Sequence, residues 1–160
     1  MKLLVLSDSH AGLSFMRYCV EQLSPDAIIH LGDYYADGQT LAEEFPHIPL
    51  YQVPGNCDLH RGYIPDPEIQ VLEFRKVRLY VTHGHRHQVK HGLYALLADA
   101  RAAGAAAVLF GHTHQAVCCQ EGQLWVLNPG AGGSWGGSCG LLEIHDGKIL
   151  SCRVIHSADL

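Results

Sequence analysis

The side chains that could do chemistry fall in five short polar clusters, each directly after an apolar run. Asp8-Ser9-His10 follows residues 1–7, Gly32-Asp33 follows 27–31, and Gly55-Asn56-Cys57-Asp58 follows 50–53. His83-Gly84-His85 follows 77–82, and Gly111-His112-Thr113-His114 follows 107–110. In open α/β sheets, ligands bind at the carboxyl ends of strands. One sheet system would therefore gather Asp8, Asp33, Asn56 and up to five histidines in one place. Mixed carboxylate, amide and imidazole donors are the ligand set of a dinuclear metal site for hydrolysis.

Each cluster also has an ordinary structural reading. Asp8-x-His10 in an extended segment would put both side chains on one face, since strand faces alternate with period two. A carboxylate and an imidazole there could chelate one ion, or simply be loop residues. His112-x-His114 repeats the spacing, and His83-x-His85 repeats it again. His83 directly follows its run and is the better ligand of that pair. His85 reads as a ligand, a substrate contact or a solvated residue. Asp33 fits a helix N-cap, but a carboxylate there can also bridge two cations, which imidazole cannot. Asn56 sits in turn chemistry after Pro54-Gly55, yet a neutral amide oxygen is a good ligand where total charge must stay low. Taken singly, these readings compete. They do not explain why all five clusters follow strand-like runs.

The elements that must position them alternate. Residues 1–7 and 27–31 flank a helical pattern carried by Leu13, Phe15, Met16, Cys19, Val20 and Leu23, which Pro25 stops. A short helix at 40–45 precedes a third strand at 50–53. Strand–helix–strand–helix–strand implies parallel pairing with right-handed crossovers. The second half opens with strands at 69–74 and 77–82 joined by Arg75-Lys76, a hairpin without glycine. A helix at 91–103, a strand at 107–110 and hairpins 116–120/123–127 and 141–144/148–155 follow. The last turns at Asp146-Gly147, a strong hairpin signal. The expected fold is α/β: two mixed β-sheets packed face to face with helices outside, in one domain over 1–160.

Composition narrows the function. The net charge is −5, and no basic run exceeds Arg75-Lys76-Val77-Arg78, so charge does not indicate a nucleic-acid partner. Phosphate binding remains open to an acidic chain whose metals dominate the local field. No stretch approaches the ~20 apolar residues of a membrane span, and Leu3–Leu6 is too short for a signal sequence. The six cysteines, at 19, 57, 118, 119, 139 and 152, form no CxxC pair and read as reduced thiols of a cytoplasmic protein. Cys118 and Cys119 read as packed within a strand. Exposed apolar loops are compatible with a homo-oligomer.

Asp8-x-His10, Gly32-Asp33, Gly55-Asn56-Cys57-Asp58, His83 and Gly111-His112-Thr113-His114 together resemble the calcineurin-like metallophosphoesterase signature, in order and spacing along most of the chain. Gly-Asn-Cys-Asp, Thr-His-Gly-His and Asn128-Pro129-Gly130 look like its small prokaryotic phosphodiesterase branch (YfcE-like), which is related in fold to a eukaryotic retromer subunit. The resemblance implies a four-layer α/β/β/α sandwich. It implies that Asp8, His10 and His114 hold one divalent metal, that Asn56, His83 and His112 hold a second, and that Asp33 bridges both. Manganese leads, with Fe, Ni, Co or Zn also suited to such ligands. A hydroxide shared by the metals would attack a phosphodiester in line. The alternatives are a phosphomonoesterase and a non-catalytic metal-binding scaffold for protein partners.

Two departures stand out. Many superfamily members carry His where this chain has Cys57, and that His serves the leaving group or the phosphate. Cys57 is a poorer proton donor to an alkoxide, and His85 could take its place. Asp58 is then a residue that orients a ligand, or a turn-stabilising Asp. The second departure is the glycine-rich run 131–138. There Trp135 could stack on an aryl or base group or be buried. Tyr34 and Tyr35 are further candidates to line the pocket. His60, Arg61 and His87 read as phosphate contacts or as solvated loop residues.

Overall fold

The computed structural model describes residues 1–60, 66–133 and 136–160. Arg61 and Trp135, singled out above, lie outside the described residues. In chain order the elements are β1 (Lys2–Leu6), α1 (Leu13–Leu23), β2 (Ala27–His30), α2 (Tyr35–Glu44), β3 (Leu50–Gln52), α3 (Asn56–Leu59), β4 (Ile69–Phe74) and β5 (Val77–Thr82). Then come a 3₁₀ turn (His85–His87), α4 (Tyr94–Ala102), β6 (Ala107–Leu109), β7 (Val117–Glu121), β8 (Leu124–Asn128), β9 (Ser138–His145) and β10 (Lys148–His156).

The strands form two mixed five-stranded sheets, in the orders β10-β9-β1-β2-β3 and β4-β5-β6-β8-β7. β1, β2 and β3 pair in parallel, as do β5, β6 and β8. The hairpins supply the antiparallel edges. Strand alternation sorts the apolar side chains into three cores. On β1, Leu3 and Val5 face the second sheet and meet Leu79, Val81 and Leu109. Leu4 and Leu6 face the other way and meet Met16, Cys19 and Val20 of α1 and Leu41 of α2. On the far side, Tyr80 and Val108 pack against Leu96 and Ala100 of α4. Helices, sheet, sheet and helix are thus four layers, as expected. Truncating a fully buried leucine such as Leu4 to alanine should cost about 2–5 kcal/mol.

The differences from expectation are local. Helix α2 starts at Tyr35 rather than 40, because the β2–α2 loop turns through left-handed Asp33 and Tyr34 (φ 53° and 72°). The short α3 was not anticipated. Helix α4 starts at Tyr94 rather than 91, and β9 starts at Ser138 rather than 141. Arg75 and Lys76 close their hairpin at φ 49° and 68°. That is the turn in which both central residues are left-handed, reached here without glycine. No helix among the described residues is long and apolar enough to cross a membrane.

Candidate metal centre

The loops after β1, β2, β5 and β6 converge over the ends of the two sheets. Asp8 and His83 form the floor and are fully buried, and Asp33 is 3% exposed. One carboxylate oxygen of Asp8, Oδ2, accepts from Ser7 Oγ at 2.6 Å and from the His112 amide at 3.1 Å. The other, Oδ1, is buried with no hydrogen-bond partner. His83 Nδ1 lies 2.7 Å from the Leu31 carbonyl. A carbonyl only accepts, so Nδ1 carries the proton, and the tautomer leaves Nε2 with a lone pair. That Nε2 is also buried without a hydrogen-bond partner. It stands 3.6 Å from Asp33 Oδ2 and 4.0 Å from Asp8 Oδ1, too far for hydrogen bonds. Two donors at about 2.1 Å from one ion can be at most about 4.2 Å apart. The three atoms lie within 4.8 Å of one another, close enough to serve one cation or two adjacent cations.

The rim is open to solvent. His114 is about half exposed, with Nε2 3.0 Å from Asp8 Oδ1 and 3.3 Å from His10 Nε2. Asp8, His10 and His114 are a second group of donors that could hold an ion, and Asp8 belongs to both groups. The Tyr34 ring meets His10 edge-on at 5.2 Å, which puts Tyr34 at the mouth. His112 packs against His83 with ring centroids 5.1 Å apart, and His85 lies 5.5 Å from His83 and 6.2 Å from His112. Asn56 opens α3 beside Cys57, whose amide donates to Asp33 Oδ1 at 3.0 Å. The Asn56 amide oxygen is the third buried atom here with no hydrogen-bond partner.

The pairing of Asp8 with His10 does not arise from strand alternation. β1 ends at Leu6, and Asp8 and His10 have φ of 51° and 44°. His112 and His114, at 66° and 60°, repeat the device after β6. A left-handed residue costs roughly 1 kcal/mol, least for Asp, Asn and His, and such strain collects at functional sites. Left-handed backbone, not extended spacing, brings the Asp8 and His10 donors together. The loops also touch directly. A Cβ at Gly111 would overlap Ser7 Oγ, and one at Gly55 would overlap the Asp33 carboxylate. Only glycine lets these loops share the space.

Several residues act behind the donors. Asp58 accepts the Tyr34 and Tyr35 amides with Oδ1 and the Gly55 amide with Oδ2, so it clamps the Asp33 loop to the Asn56 loop. Asn128 donates to the Gly111 carbonyl and Thr113 Oγ1 and accepts from Gly130, fixing the loop that bears His112 and His114. Tyr35 is buried, with its hydroxyl on Asp66, and does not line the mouth. His87 is buried against Tyr80 and Asp99 rather than solvated, and His60 is exposed. No cysteine forms a disulfide. Cys118 packs against the inter-sheet core but Cys119 is exposed, so the packed reading holds for one of the two. Ser7, and the left-handed loop itself, gave no signal in the sequence.

Burial shapes the electrostatics. It pushes the Asp33 carboxyl up, but His83, the Cys57 amide and His10 together hold it below its ordinary value. Burial, aided by His83, pushes the His112 imidazole down to about 4, and it lowers His85 against the pull of Glu68. Behind the loops, burial lowers the enclosed His30 to about 4 despite nearby Asp58, Asp8 and Asp37. Neutral imidazoles are the form that binds metal.

Buried donors without hydrogen-bond partners, at strand ends of a double-sheet sandwich, define a metallohydrolase-type domain. The chain belongs to the calcineurin-like phosphoesterase superfamily, whose domain matches residues 1–147. It is 33% identical over 134 residues to the Bacillus subtilis protein named "Probable metallophosphoesterase YsnB", covering 82% of this chain and 75% of that one. It is 28% identical over 152 residues to "Phosphodiesterase MJ0936" of Methanocaldococcus jannaschii, covering 81% and 83%. Among solved structures, wild-type Vps29 of Entamoeba histolytica complexed with Zn²⁺ superposes with a TM-score of 0.75 at 20% identity, over 98% of this chain and 99% of that one. At that identity the likeness speaks for the fold.

Proposed function

We propose that this chain, as one domain, is a divalent-metal-dependent phosphodiesterase acting on small-molecule phosphodiesters in the cytoplasm. The observation that carries this is the set of buried donors that make no hydrogen bond, Asp8 Oδ1, Asn56 Oδ1, His83 Nε2 and His85 Nδ1, with Asp8 Oδ1 and His83 Nε2 facing other candidate ligands across 3.0–4.0 Å. Burying a polar group without a hydrogen bond costs free energy, and for a carboxylate several kcal/mol. A bound cation removes that cost. Asp8, His10 and His114 would hold one ion, Asn56, His83 and His112 a second, and Asp33 both. Asp33 suits the bridge because Oδ2 faces His83 of the second set, while His10 of the first is among the groups that hold the Asp33 carboxyl low. Two such ions would supply an activated water and neutralise charge on the phosphoryl oxygens.

The chain's own residues do the rest. Asn56, a neutral ligand, keeps total charge low enough for an anionic substrate to enter. His85 stands beside His83 and His112 with Nε2 held by Glu68 at 3.2 Å. We assign it to the leaving group in place of Cys57; because burial lowers its imidazole, it would donate a proton most effectively on the acid side of its ordinary value. The phosphodiesterase name of the archaeal relative supports diesters as substrates. The test is a hydrolysis screen of diesters and monoesters with Mn²⁺, Fe²⁺, Ni²⁺, Co²⁺ and Zn²⁺. Diester turnover with Mn²⁺ is expected. Turnover of monoesters alone would make it a phosphomonoesterase. Metal uptake without any turnover would make it a scaffold.

A further inference from the structure

Three buried polar side chains that this reading leaves unused lie directly behind the ligand loops. Ser9 and His30 are fully buried and Asp37 is 8% exposed. Their hydrogen bonds run in one direction. The Gly32 amide approaches His30 Nδ1 at 3.3 Å, which makes Nδ1 the acceptor. His30 Nε2 then carries the proton and donates to Ser9 Oγ at 3.3 Å. The single Ser9 hydroxyl proton goes to Asp37 Oδ2 at 2.7 Å, and the same oxygen accepts the Ala11 amide at 2.9 Å. The Asp33 carbonyl is a second, longer acceptor for that hydroxyl at 3.5 Å, so Ser9 reaches the Asp33 loop directly as well, while the 2.7 Å bond to Asp37 is the shorter of the two.

The chain touches the backbone beside three of the assigned ligands. Gly32 precedes Asp33, Ser9 lies between Asp8 and His10, and Ala11 follows His10. Asp8, His10, Ala11 and Asp33 are all left-handed, at φ 51°, 44°, 65° and 53°. Something must hold four such residues in that form, and the chain is bonded across both loops. We infer that Ser9, His30 and Asp37 are positioning residues that lock the Asp8–His10 loop against the Asp33 loop, so that both loops aim their donors at the same ions. This rests on the metal reading above.

Residues that orient metal ligands typically change metal affinity by roughly 10- to 100-fold when removed. Ser9→Ala deprives Asp37 of a donor and buries the His30 N–H without an acceptor. Asp37→Asn is different, because both bonds to Asp37 end on one oxygen, which an amide oxygen can replace. The experiment is calorimetric titration of metal-free protein with Mn²⁺ alone, well below each variant's melting transition. A purely stabilising role would leave affinity unchanged there. Ser9→Ala and Asp37→Ala should each weaken Mn²⁺ binding by roughly 10- to 100-fold, and Asp37→Asn should restore it to near the native level. If Ser9→Ala does not fold, the Asp37 pair decides alone. Native affinity in the alanine variants, or an Asp37→Asn as weak as Asp37→Ala, would overturn the inference while leaving the metal reading intact. A native protein that takes up none of Mn²⁺, Fe²⁺, Ni²⁺, Co²⁺ and Zn²⁺ would overturn both.

Discussion

The floor and the rim of the candidate centre use the same residue types under opposite conditions. On the floor, Asp8 and His83 are fully buried and each keeps one donor atom without a hydrogen-bond partner. On the rim, His114 is 47% exposed and lies 3.3 Å from His10, in reach of water. Water can satisfy the rim. On the floor, Asp8 Oδ1 faces the rim imidazole of His114 at 3.0 Å and His83 Nε2 has no hydrogen-bond partner; a cation would satisfy both. The floor therefore defines the site, and the rim completes it when an ion is present.

The largest expected effect comes from breaking the floor. Asp33→Ala should lower diester turnover on the order of 10³-fold, since several kcal/mol of charge stabilisation depend on the ions it holds. Metal content should fall toward none. The donor groups in the structure share Asp8 rather than Asp33, so Asp8→Ala belongs beside it. Two tightly bound metals in Asp33→Ala, with loss in Asp8→Ala, would move the bridge to Asp8. Breaking the rim should do less. His114→Ala should lose mainly the first ion and His112→Ala the second, each retaining about one metal per chain by elemental analysis.

The floor was readable in the sequence and its geometry was not. Polar residues after apolar runs marked Asp8, Asp33, His83 and His112, because strand ends deliver their next residue to one place. The two sheets followed from the order of apolar runs, helical patterns and hairpin signals, and the four layers from the family resemblance. The left-handed turns were invisible, since Asp and His only tolerate that conformation and do not demand it. For the same reason α2 was expected to begin five residues late. Asp58 could be read as a ligand orienter or a turn former, and its three amide bonds make it a clamp between loops. The long-range partners of Asn128 and Ser9 have no local signature.

A smaller effect concerns the leaving group. General acid catalysis is worth roughly 10²–10⁴ in rate, and only for leaving groups that need a proton. If His85 supplies it, His85→Ala should steepen the dependence of rate on leaving-group pKa while sparing activated aryl diesters. Cys57→Ser should change little. A native dependence that His85→Ala leaves flat and Cys57→Ser destroys would give the role to Cys57.

The smallest effect lies behind the floor. Burial holds His30 at about 4, below the ordinary 6.5. The unfolded chain binds that proton first, so His30 favours the fold fully above about pH 6.5. The contribution is lost as pH falls from there to about 4, by roughly 3 kcal/mol at most. Urea unfolding of metal-free protein between pH 7 and 4.5 should show a steeper loss in the native chain than in His30→Gln. Equal slopes would mean that His30 is not held neutral.

The central claim is that the buried donors exist to hold metal that the reaction needs. The most direct measurement is bis(aryl) phosphate hydrolysis by one preparation, first stripped by chelator to undetectable metal and then resupplied with Mn²⁺. The account predicts no turnover after stripping and recovery as roughly two ions per chain return. Undiminished hydrolysis by the metal-free protein would contradict it.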